Sequence, residues 1–600
     1  MANDNHLFSA PCYNGTMLKQ DYYNDFFEFG QQKINFSFFE LSLPDDDPVY
    51  TLKKVMEELD FSGLLACYPN KGRTGFNPIM LYAVVTYANM RGVRAVDRIV
   101  DLCQRDLAFI WLTKGQKPQR DVFYDFKGKK LTGEVLDELN YQFMRRLEKE
   151  GFLTLKELYI DGTKLEANAN RYTFVWRGSL NYHLAGLLDT IDALYTKYNA
   201  FLLDNGYGPK YDLGDAHMFV IEGMDKVRKI IQKNRERKLT KHKKIPNNTI
   251  IEIDHCSPLE IRKLQKNLMR IAEGEGIEFV FGKGMRKPEI QKLYEGLEEC
   301  GKRLMEYKEC FKIMGKDRNS YSKTDLEATF MRMKEDHMMN GQLKPAYNVQ
   351  IAVENYFIVH VYVSNDRTDY NTLIPVLEKH RKAFGDKLEA VTADSGYCSE
   401  KNLLYLKENR IRSFIKLQDH EKRKTQAYKE DIGKYYNMTY SVFEDEHYYI
   451  CHDGRELHHI RTESKEQDGY TQTVEVYGCA DCSECEYKSK CLYKYNPEKN
   501  PDQNKVMKIN ERWEELREES NTNIQSEEGI LKRQTRSIQT EGHFGDIKEN
   551  ENFRRFNYRS KEKVYKEFML YAIGRNIMKY HRFLHQEIEK FEGKKEQEAA

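Results

Sequence analysis

The stretches LTLKELYIDG, residues 153–162, and LEAVTADSG, residues 388–396, decide the fold of this chain. Each is a mainly apolar run that reaches an Asp and then a Gly, which is the pattern of a buried strand entering a turn. Taken singly, an Asp close to a Gly is a common turn residue. If the two strands are neighbours in one sheet, however, Asp161 and Asp394 meet at the same rim.

The patterns around these two stretches complete a single α/β core. Strands are predicted at residues 347–353, 357–363 and 411–417, and helices at residues 371–384 and 399–409. A short polar connection at residues 354–356 makes the first two of these strands a hairpin. Without the helical stretch before the hairpin, the order is three antiparallel strands followed by crossover units. That is the order of a ribonuclease-H-like core.

Composition and the pattern of apolar and polar residues divide the chain into six segments. They are residues 1–150, an all-α N-terminal domain and candidate DNA-binding unit; 151–181, the first part of the core; 182–335, a charged helical insertion; 336–417, the rest of the core; 418–530, a polar insertion with a cysteine cluster; and 531–600, C-terminal helices. In the first segment, Asn77 before Pro78 indicates a helix start, and residues 94–112 and 132–150 have helical apolar spacing. The turn at Gly92 fits either a helix-turn-helix or a plain helical bundle.

The composition indicates folded cores with a local basic surface. Of 600 residues, 40% are hydrophobic and 32% are charged, with a formal net charge of only +1. Residues 553–582 nevertheless carry nine Lys or Arg against two Asp or Glu, and such local stripes bind phosphates. The alternative for this stripe is a solvated helix face. No signal segment or apolar run of membrane-spanning length is found, so we expect an intracellular protein with reduced cysteines and no membrane partner.

Three carboxylates on one rim of a sheet can bind divalent cations, because hard cations prefer oxygen ligands. Asp161 and Asp394 supply two of them, and Glu541 is the best candidate for a third acid on a later helix. Asp366 and Asp369 are rival acids in the turn after the hairpin, but capping of the following helix is the preferred interpretation.

The segments YIDGTKLEAN, residues 159–168, TADSGY, residues 392–397, and EGHFGDIK, residues 541–548, resemble the three acidic motifs of bacterial insertion-sequence transposases of the DDE class. The closest resemblance is to the group numbered eleven eighty-two. It implies that Asp161, Asp394 and Glu541 bind two Mg²⁺ or Mn²⁺ ions for strand cleavage at element ends and strand transfer into target DNA. It also implies double-stranded DNA as partner, a homodimer on DNA and a cytoplasmic, nucleoid-associated location.

The resemblance has one departure near the third acid. Related transposases carry a Tyr and an Arg before the Glu, and here Gln534 and Ser537 stand at those positions. Arg533 and Arg536 lie nearby as substitutes, so the phosphate contacts and any hairpin-forming excision stay open. The candidate DNA-binding residues are Lys164, Arg533, Arg536, Lys548, Arg554, Arg555 and Arg559.

A cysteine cluster lies in the polar insertion. Cys479, Cys482, Cys485 and Cys491 follow the spacing C-x2-C-x2-C-x5-C and are four of the twelve cysteines of the chain. The spacing suits a structural Zn²⁺ site, with Cys451 as a substitute for one ligand. An iron–sulfur cluster and free thiols are the two alternatives.

Two other functions are compatible with the sequence. A ribonuclease-H-like nuclease without strand transfer would use the same three acids. A domesticated, non-catalytic protein would keep only DNA binding. The presence of all three acids favours the active enzyme.

Overall fold

The computed structural model describes residues 34–36, 39–41, 43–68, 75–207, 258–315, 318–333, 343–444, 446–467, 470–498 and 500–587. Parts of three predicted segments therefore lie outside the described residues, namely the start of the first, residues 208–257 of the helical insertion and the charged tail from residue 588. The described chain is a mixed α/β protein with helices packed on sheets.

The N-terminal region is helical apart from one short strand pair. The strands are β1, Ile34–Phe36, and β2, Phe39–Leu41, so this region is not all-α as predicted. The helices are α1, Pro48–Glu57; α2, Ser62–Ala66; α3, Pro78–Met90; α4, Val96–Arg105; α5, Leu107–Thr113; α6, Arg120–Asp125; and α7, Gly133–Lys149. A π-helical turn, Phe126–Lys130, precedes α7.

Side-chain caps explain where these helices begin. The Asn77 carboxamide oxygen accepts the backbone N–H of Ile79 at 2.9 Å, which confirms the predicted start of α3. The prediction of one helix over residues 94–112 is wrong, because Asp106 has an extended backbone. Its carboxylate accepts the N–H of Ala108 at 3.0 Å, and it thereby starts α5 as a new helix.

The central sheet holds the two predicted strands side by side. Its strands are β3, Glu157–Glu166; β6, Thr329–Arg332; β7, Leu343–Glu354; β8, Phe357–Ser364; β9, Ala390–Ala393; and β10, Arg412–Ile415. The order is β10-β9-β3-β7, and β8 and β6 both pair with the other edge of β7. The β3–β7 and β7–β8 pairs are antiparallel, whereas β3–β9 and β9–β10 are parallel. Helices α11, Leu373–Phe384, and α12, Glu400–Glu408, form the crossovers.

Two details of this sheet differ from the sequence prediction. Strand β3 does not end at Asp161 but continues to Glu166, and Asp161 pairs with Ile351 of β7 in mid-strand. The β7–β8 connection is a two-residue turn, in which Asn355 and Tyr356 have φ values of 44° and 66°. Two consecutive left-handed residues are typical of the hairpin turns that match strand twist.

The helical insertion forms a core of its own. It leaves the sheet through β4, Phe174–Trp176, and returns through β5, Ser320–Ser322, which pair with each other. Between them lie α8, Arg177–Asp204; α9, Pro258–Gly274; and α10, Glu289–Met314. Leu264, Leu268 and Ile271 of α9 are buried in the cluster that these helices share.

The polar insertion contains a second sheet that the sequence analysis missed. Its antiparallel strands are β11, Thr439–Phe443; β12, Glu446–Ile450; β13, Glu456–Gln467; β14, Tyr470–Cys479; and β15, Val506–Ile509. Short helices precede or interrupt it, namely α13, His420–Arg423; α14, Gln426–Lys429; and α15, Lys488–Cys491. Many residues of β11 to β13 are exposed, so these strands lack the apolar alternation that identifies a half-buried strand.

The C-terminal region is a bent helical segment followed by one long helix. Helices α16, Glu511–Gln525, and α17, Glu527–Arg536, lead into the π-helical turn Ser537–Glu541, then α18, Gly542–Gly545, and the π-helical turn Asp546–Asn550. The chain is not helical from residue 551 to residue 560 and then forms α19, Lys561–Arg582. Phe553 and Phe556 of this nonhelical segment are buried in the core.

Helix α19 joins the N-terminal helices to the central sheet. Its apolar residues share one buried cluster with those of α1, α3, α7, β7 and β8, so the boundary predicted at residue 150 does not separate two cores. The Asn576 carboxamide accepts the N–H of Ile358 on β8 and donates to the carbonyl of the same residue, each at 2.8 Å. Polar groups of the strand are thereby satisfied inside the core.

The contact between α19 and α3 can be tested at Gly574. A Cβ atom there would lie 2.8 Å from the Met90 backbone N and 2.9 Å from the Asn89 backbone C. We expect Gly574→Ala to destabilise the protein by about 1–3 kcal/mol, seen as a lower midpoint of thermal unfolding. Gly186→Ala is the matched control in α8, because a Cβ there meets nothing within 4 Å. It should stabilise by about 0.4–1 kcal/mol, and equal midpoints for both variants would contradict the close packing.

Candidate metal and nucleic-acid site

The register of β3 and β9 places two carboxylates next to each other. Ile160 of β3 pairs with Ala393 of β9, so the residues that follow, Asp161 and Asp394, are neighbours on parallel strands. Asp161 is only 5% exposed, and its Oδ1 accepts a hydrogen bond from the backbone N–H of Gly162 at 2.7 Å. Asp394 is half-buried and accepts the N–H of Gly396 at 2.8 Å.

The proximity of the two carboxylates has an electrostatic effect. Burial raises the pKa of Asp394 above its ordinary value of 3.8, and the Asp161 and Asp369 carboxylates raise it further. The N–H of Gly396 and the Arg536 guanidinium oppose this rise in the pKa. The site therefore holds more negative charge than its own hydrogen bonds offset, which is the condition that a bound divalent cation relieves.

Asp369 is a third acid at this rim. Its Oδ1 accepts hydrogen bonds from the side-chain amides of Asn348 at 2.7 Å and Gln350 at 2.9 Å. A Cβ built at Gly396 would meet both Asp394 Oδ1, at 2.9 Å, and Asp369 Oδ2, at 3.2 Å, so the two carboxylates flank this glycine.

The expected role of Asp369 as a helix cap is wrong. Helix α11 begins after Thr372 with no side-chain cap, neither from Asp366 nor from Asp369. The sequence does contain a signal for the actual role, because Asn348 and Gln350 are two apart on β7 and so present their amides on one face.

Arg536 connects Glu541, the third predicted acid, to Asp161. The Arg536 Nη1 lies 2.9 Å from Asp161 Oδ2, and its Nη2 lies 3.7 Å from Glu541 Oε1. The Thr540 hydroxyl lies 3.2 Å from the same Asp161 oxygen. The π-helical turn that ends at Glu541 widens the helix at this point, and such turns are frequent at functional sites.

The Glu541 side chain is directed outward. It is 63% exposed, which leaves it accessible to a cation or to DNA. Within the part of the chain that the structure describes, no three His, Cys, Asp or Glu side chains stand together as a ready metal site. The Arg536 guanidinium provides the positive charge between Asp161 and Glu541 instead. The oxygen donors present are nonetheless of the type that Mg²⁺ and Mn²⁺ bind.

The other predicted DNA contacts are distributed around this rim. Arg533 lies one turn before Arg536, and its buried Nε has no hydrogen-bond partner among the described residues. Lys164 is half-buried on β3, and Lys548 lies in the π-helical turn after α18.

The arginines of the nonhelical segment before α19 are exposed. Arg554 pairs with Glu549 at 2.6 Å, and Arg559 donates to the Asn168 carbonyl at 2.9 Å. Arg555 donates to the Ala169 carbonyl at 3.1 Å. These contacts hold the segment against the residues that follow β3 and leave its guanidinium groups exposed. Lys566 differs, because it is 4% exposed and donates to the carbonyl of Gly128.

The cysteines of the second sheet are free thiols. Cys479 and Cys482 are buried and Cys485 and Cys491 are half-buried. Cys451, named above as a substitute for one ligand, packs against the same small core.

Comparison with known protein families identifies two transposase segments. A family model described as transposase DDE domain matches residues 450–581, and one described as transposase domain (DUF772) matches residues 37–129. Each match covers less than half of the chain. Searches of curated proteins and of solved structures gave no match.

The two matched segments indicate a transposase, and in the sequence they lie on either side of Asp161 and Asp394. The DDE domain match includes Glu541 and suggests a ribonuclease-H-like core, but Asp161 and Asp394 lie outside both matches. Their assignment depends on the register of β3 and β9. Among the described helices, none has the length and apolarity needed to cross a membrane.

The charge balance at Asp394 predicts a stability change. Because its folded pKa is raised above 3.8, ionised Asp394 costs folding free energy above that pKa and not below 3.8. Asp394→Asn keeps the acceptor for Gly396 and removes the charge. In EDTA we expect a melting temperature roughly 1–2 °C higher at pH 7.5, with the gain shrinking as the pH approaches 4. Asp502→Asn, in an exposed loop, should change neither value, and an unchanged or lower melting temperature for Asp394→Asn at pH 7.5 would refute the repulsion.

Proposed function

We propose that the chain is a DNA transposase that cleaves DNA at element ends and transfers the cut strand into target DNA. One observation carries this proposal, namely that Asp161 and Asp394 adjoin across β3 and β9 while Arg536 links Asp161 to Glu541. The transposase matches on both sides of this rim support it. The motif resemblance supports placing the chain in the group numbered eleven eighty-two.

In this proposal Asp161, Asp394 and Glu541 hold two Mg²⁺ or Mn²⁺ ions. When bound, these ions would activate the attacking oxygen and stabilise the leaving oxygen of a phosphodiester. Asp161 and Asp394 are held in place by the strands and by backbone N–H donors. Glu541 is exposed and joins them from the helical side.

Arg536 has a second role in the proposed cycle. Arg536 contacts both Asp161 and Glu541. With those carboxylates holding cations, Arg536 would be available to contact a DNA phosphate, since Arg binds phosphate through two N–H groups. Arg536 thus takes over the task that Ser537 cannot perform at the family's Arg position.

The DNA path continues along the segment before α19. Arg554, Arg555 and Arg559 are exposed there, and their side chains donate to the backbone carbonyls of Lys548, Ala169 and Asn168 respectively. Because both element ends must be cut and joined together, we propose that a homodimer acts on DNA.

Substitution of the acids tests the catalytic assignment. With Mg²⁺ and a labelled duplex carrying an end of the element, Asp161→Asn, Asp394→Asn and Glu541→Gln should each reduce strand cleavage roughly 10³-fold or more. Each removes one charge that the cations need, whereas DNA binding, measured by gel shift, should persist. Glu519→Gln is the control, because this residue of α16 is exposed and pairs with Lys407 of α12.

The products of the same assay separate the proposal from its rivals. Joined product in the wild type supports transposition, and cleaved product alone indicates a nuclease without strand transfer. Binding without cleavage indicates a non-catalytic protein. Full activity of the Glu541→Gln variant would exclude Glu541 as a metal ligand. The roles of Asp161 and Asp394 are tested separately by their own variants.

The arginine surface is tested by the salt dependence of DNA binding. We expect Arg559→Ala to lower the slope of log K against log salt by roughly one, because one phosphate contact is lost. Arg303→Ala is the matched control, since Arg303 is an exposed arginine on α10 that pairs with Glu299 at 2.6 Å. Identical slopes for the wild type and Arg559→Ala would exclude this residue from the DNA path.

A further inference from the structure

A buried carboxylate of α19 contacts the arginine segment, which we define as residues 553–559. Glu567 is only 3% exposed. Its Oε2 accepts the backbone N–H groups of Asn557 at 2.9 Å and Tyr558 at 3.2 Å, and its Oε1 accepts the side-chain amide of Asn557 at 2.9 Å. A carboxylate is rarely buried unless it is paired, and here it is paired with the backbone of the arginine segment.

The N-terminal helical region supplies the positive charge at this carboxylate. Arg94, two residues before α4, has its Nη1 3.0 Å from Glu567 Oε1. The same Nη1 donates to the carbonyl of Arg555 at 3.3 Å, and the guanidinium carbon lies 3.6 Å from the centre of the Phe553 ring. The buried Lys127 ammonium donates to the Arg94 carbonyl at 3.5 Å. Arg94 is thus held in place and contacts both the carboxylate and the arginine segment.

The end of β3 holds the arginine segment from another side. The N–H of Glu166 donates to the carbonyl of Arg554 at 3.1 Å, and the N–H of Phe556 donates to the carbonyl of Glu166 at 2.9 Å. Strand β3 also carries Asp161. The position of the arginine segment relative to the strand of this acid is therefore set by two groups of contacts, those of Glu166 and those of Glu567.

Apolar packing alone would not require an ion pair at this place. Replacing a buried ion pair by apolar side chains of similar volume is often neutral or stabilising, so the pair is weak evidence for a contribution to stability. An apolar side chain, however, has no acceptor for the two successive N–H groups of Asn557 and Tyr558. The ion pair thus specifies the backbone conformation of the segment from which Arg554, Arg555 and Arg559 project into solvent.

We propose that Glu567 and Arg94 are positioning residues for DNA binding. Their ion pair holds the arginine segment so that its three exposed guanidinium groups face the phosphates of a bound DNA together. This role rests on the proposed function, because it takes DNA as the partner of these arginines. Arg94 lies in one of the two transposase matches and Glu567 in the other, so the N-terminal region would support DNA binding through a contact inside the protein.

The substitution Glu567→Gln tests this role in the full-length protein. A Gln amide has one acceptor and one donor group, so it leaves donors unpaired either at Arg94 or at the backbone of the arginine segment. In the absence of DNA, we expect trypsin to cleave after Arg554, Arg555 or Arg559 roughly tenfold faster than in the wild type, because the segment opens locally more often. Mass spectrometry of the first products identifies the cleaved bonds.

The same variant is then tested for binding to a labelled DNA duplex of arbitrary sequence over a range of salt concentrations. We expect the slope of log K against log salt to fall by roughly two, because arginines without a fixed position no longer contact the phosphates as a set. A residue that contributed only to the stability of the fold would leave this slope unchanged well below the melting temperature.

Glu354→Gln is the matched control. Glu354 is also a buried carboxylate, and it accepts the backbone N–H groups of Thr154 at 2.7 Å and Leu155 at 2.8 Å. These residues precede β3, whereas the arginine segment contacts the end of that strand. The control should lower the melting temperature but change neither the trypsin rate at the arginine segment nor the salt slope.

Two results would overturn the positioning role. They are an unchanged trypsin rate in Glu567→Gln and a faster rate with an unchanged salt slope. If this variant does not fold, Arg94→Lys decides the question, because Lys keeps the charge but lacks the planar guanidinium. It should show both changes at smaller size, and wild-type values for both would also overturn the role. A wild type that does not bind DNA contradicts the proposed function itself, whereas the trypsin rates report on the ion pair alone.

Discussion

Parallel hydrogen bonding between β3 and β9 is the constraint on which the site depends. It fixes Ile160 opposite Ala393 and thereby sets the next residue of each strand, Asp161 and Asp394, side by side. These residues are more than 230 positions apart in the sequence, and two inserted units lie along the chain around them. Because strand register can only shift by whole residues, a slip by one would turn Asp161 to the opposite face. The spacing of the acids is therefore set by backbone geometry.

This arrangement places like charges together at a cost in stability. Burial and the carboxylates of Asp161 and Asp369 raise the pKa of Asp394. The side-chain amides of Asn348 and Gln350 donate to Asp369 rather than to Asp394 or Asp161. Among the described residues, Arg536 is the guanidinium that contacts Asp161, and it reaches Glu541 as well. A site of this kind favours a bound cation, because its own residues neutralise only part of the negative charge of the carboxylates.

The sequence predicted the elements whose signal is local. Apolar runs located β7, β8, β9 and β10, and Asn77 with Pro78 located the start of α3. Other features depend on partners far along the chain. The extension of β3 beyond Asp161 needs its pairing with β7, and the role of Asp369 needs Asn348 and Gln350 across the sheet. The second sheet was missed because strands exposed to solvent carry no apolar period.

Helix α19 has a consequence for how the protein is made. It is the last long helix of the described chain, and it fills the space between α3 and β8, which emerge from the ribosome hundreds of residues earlier. A nascent chain therefore has both apolar faces uncovered until α19 has been synthesised. Such faces bind chaperones or other unfinished chains. A chain that stops before α19 would have the Asp pair but no closed interior, and it would be removed as misfolded protein.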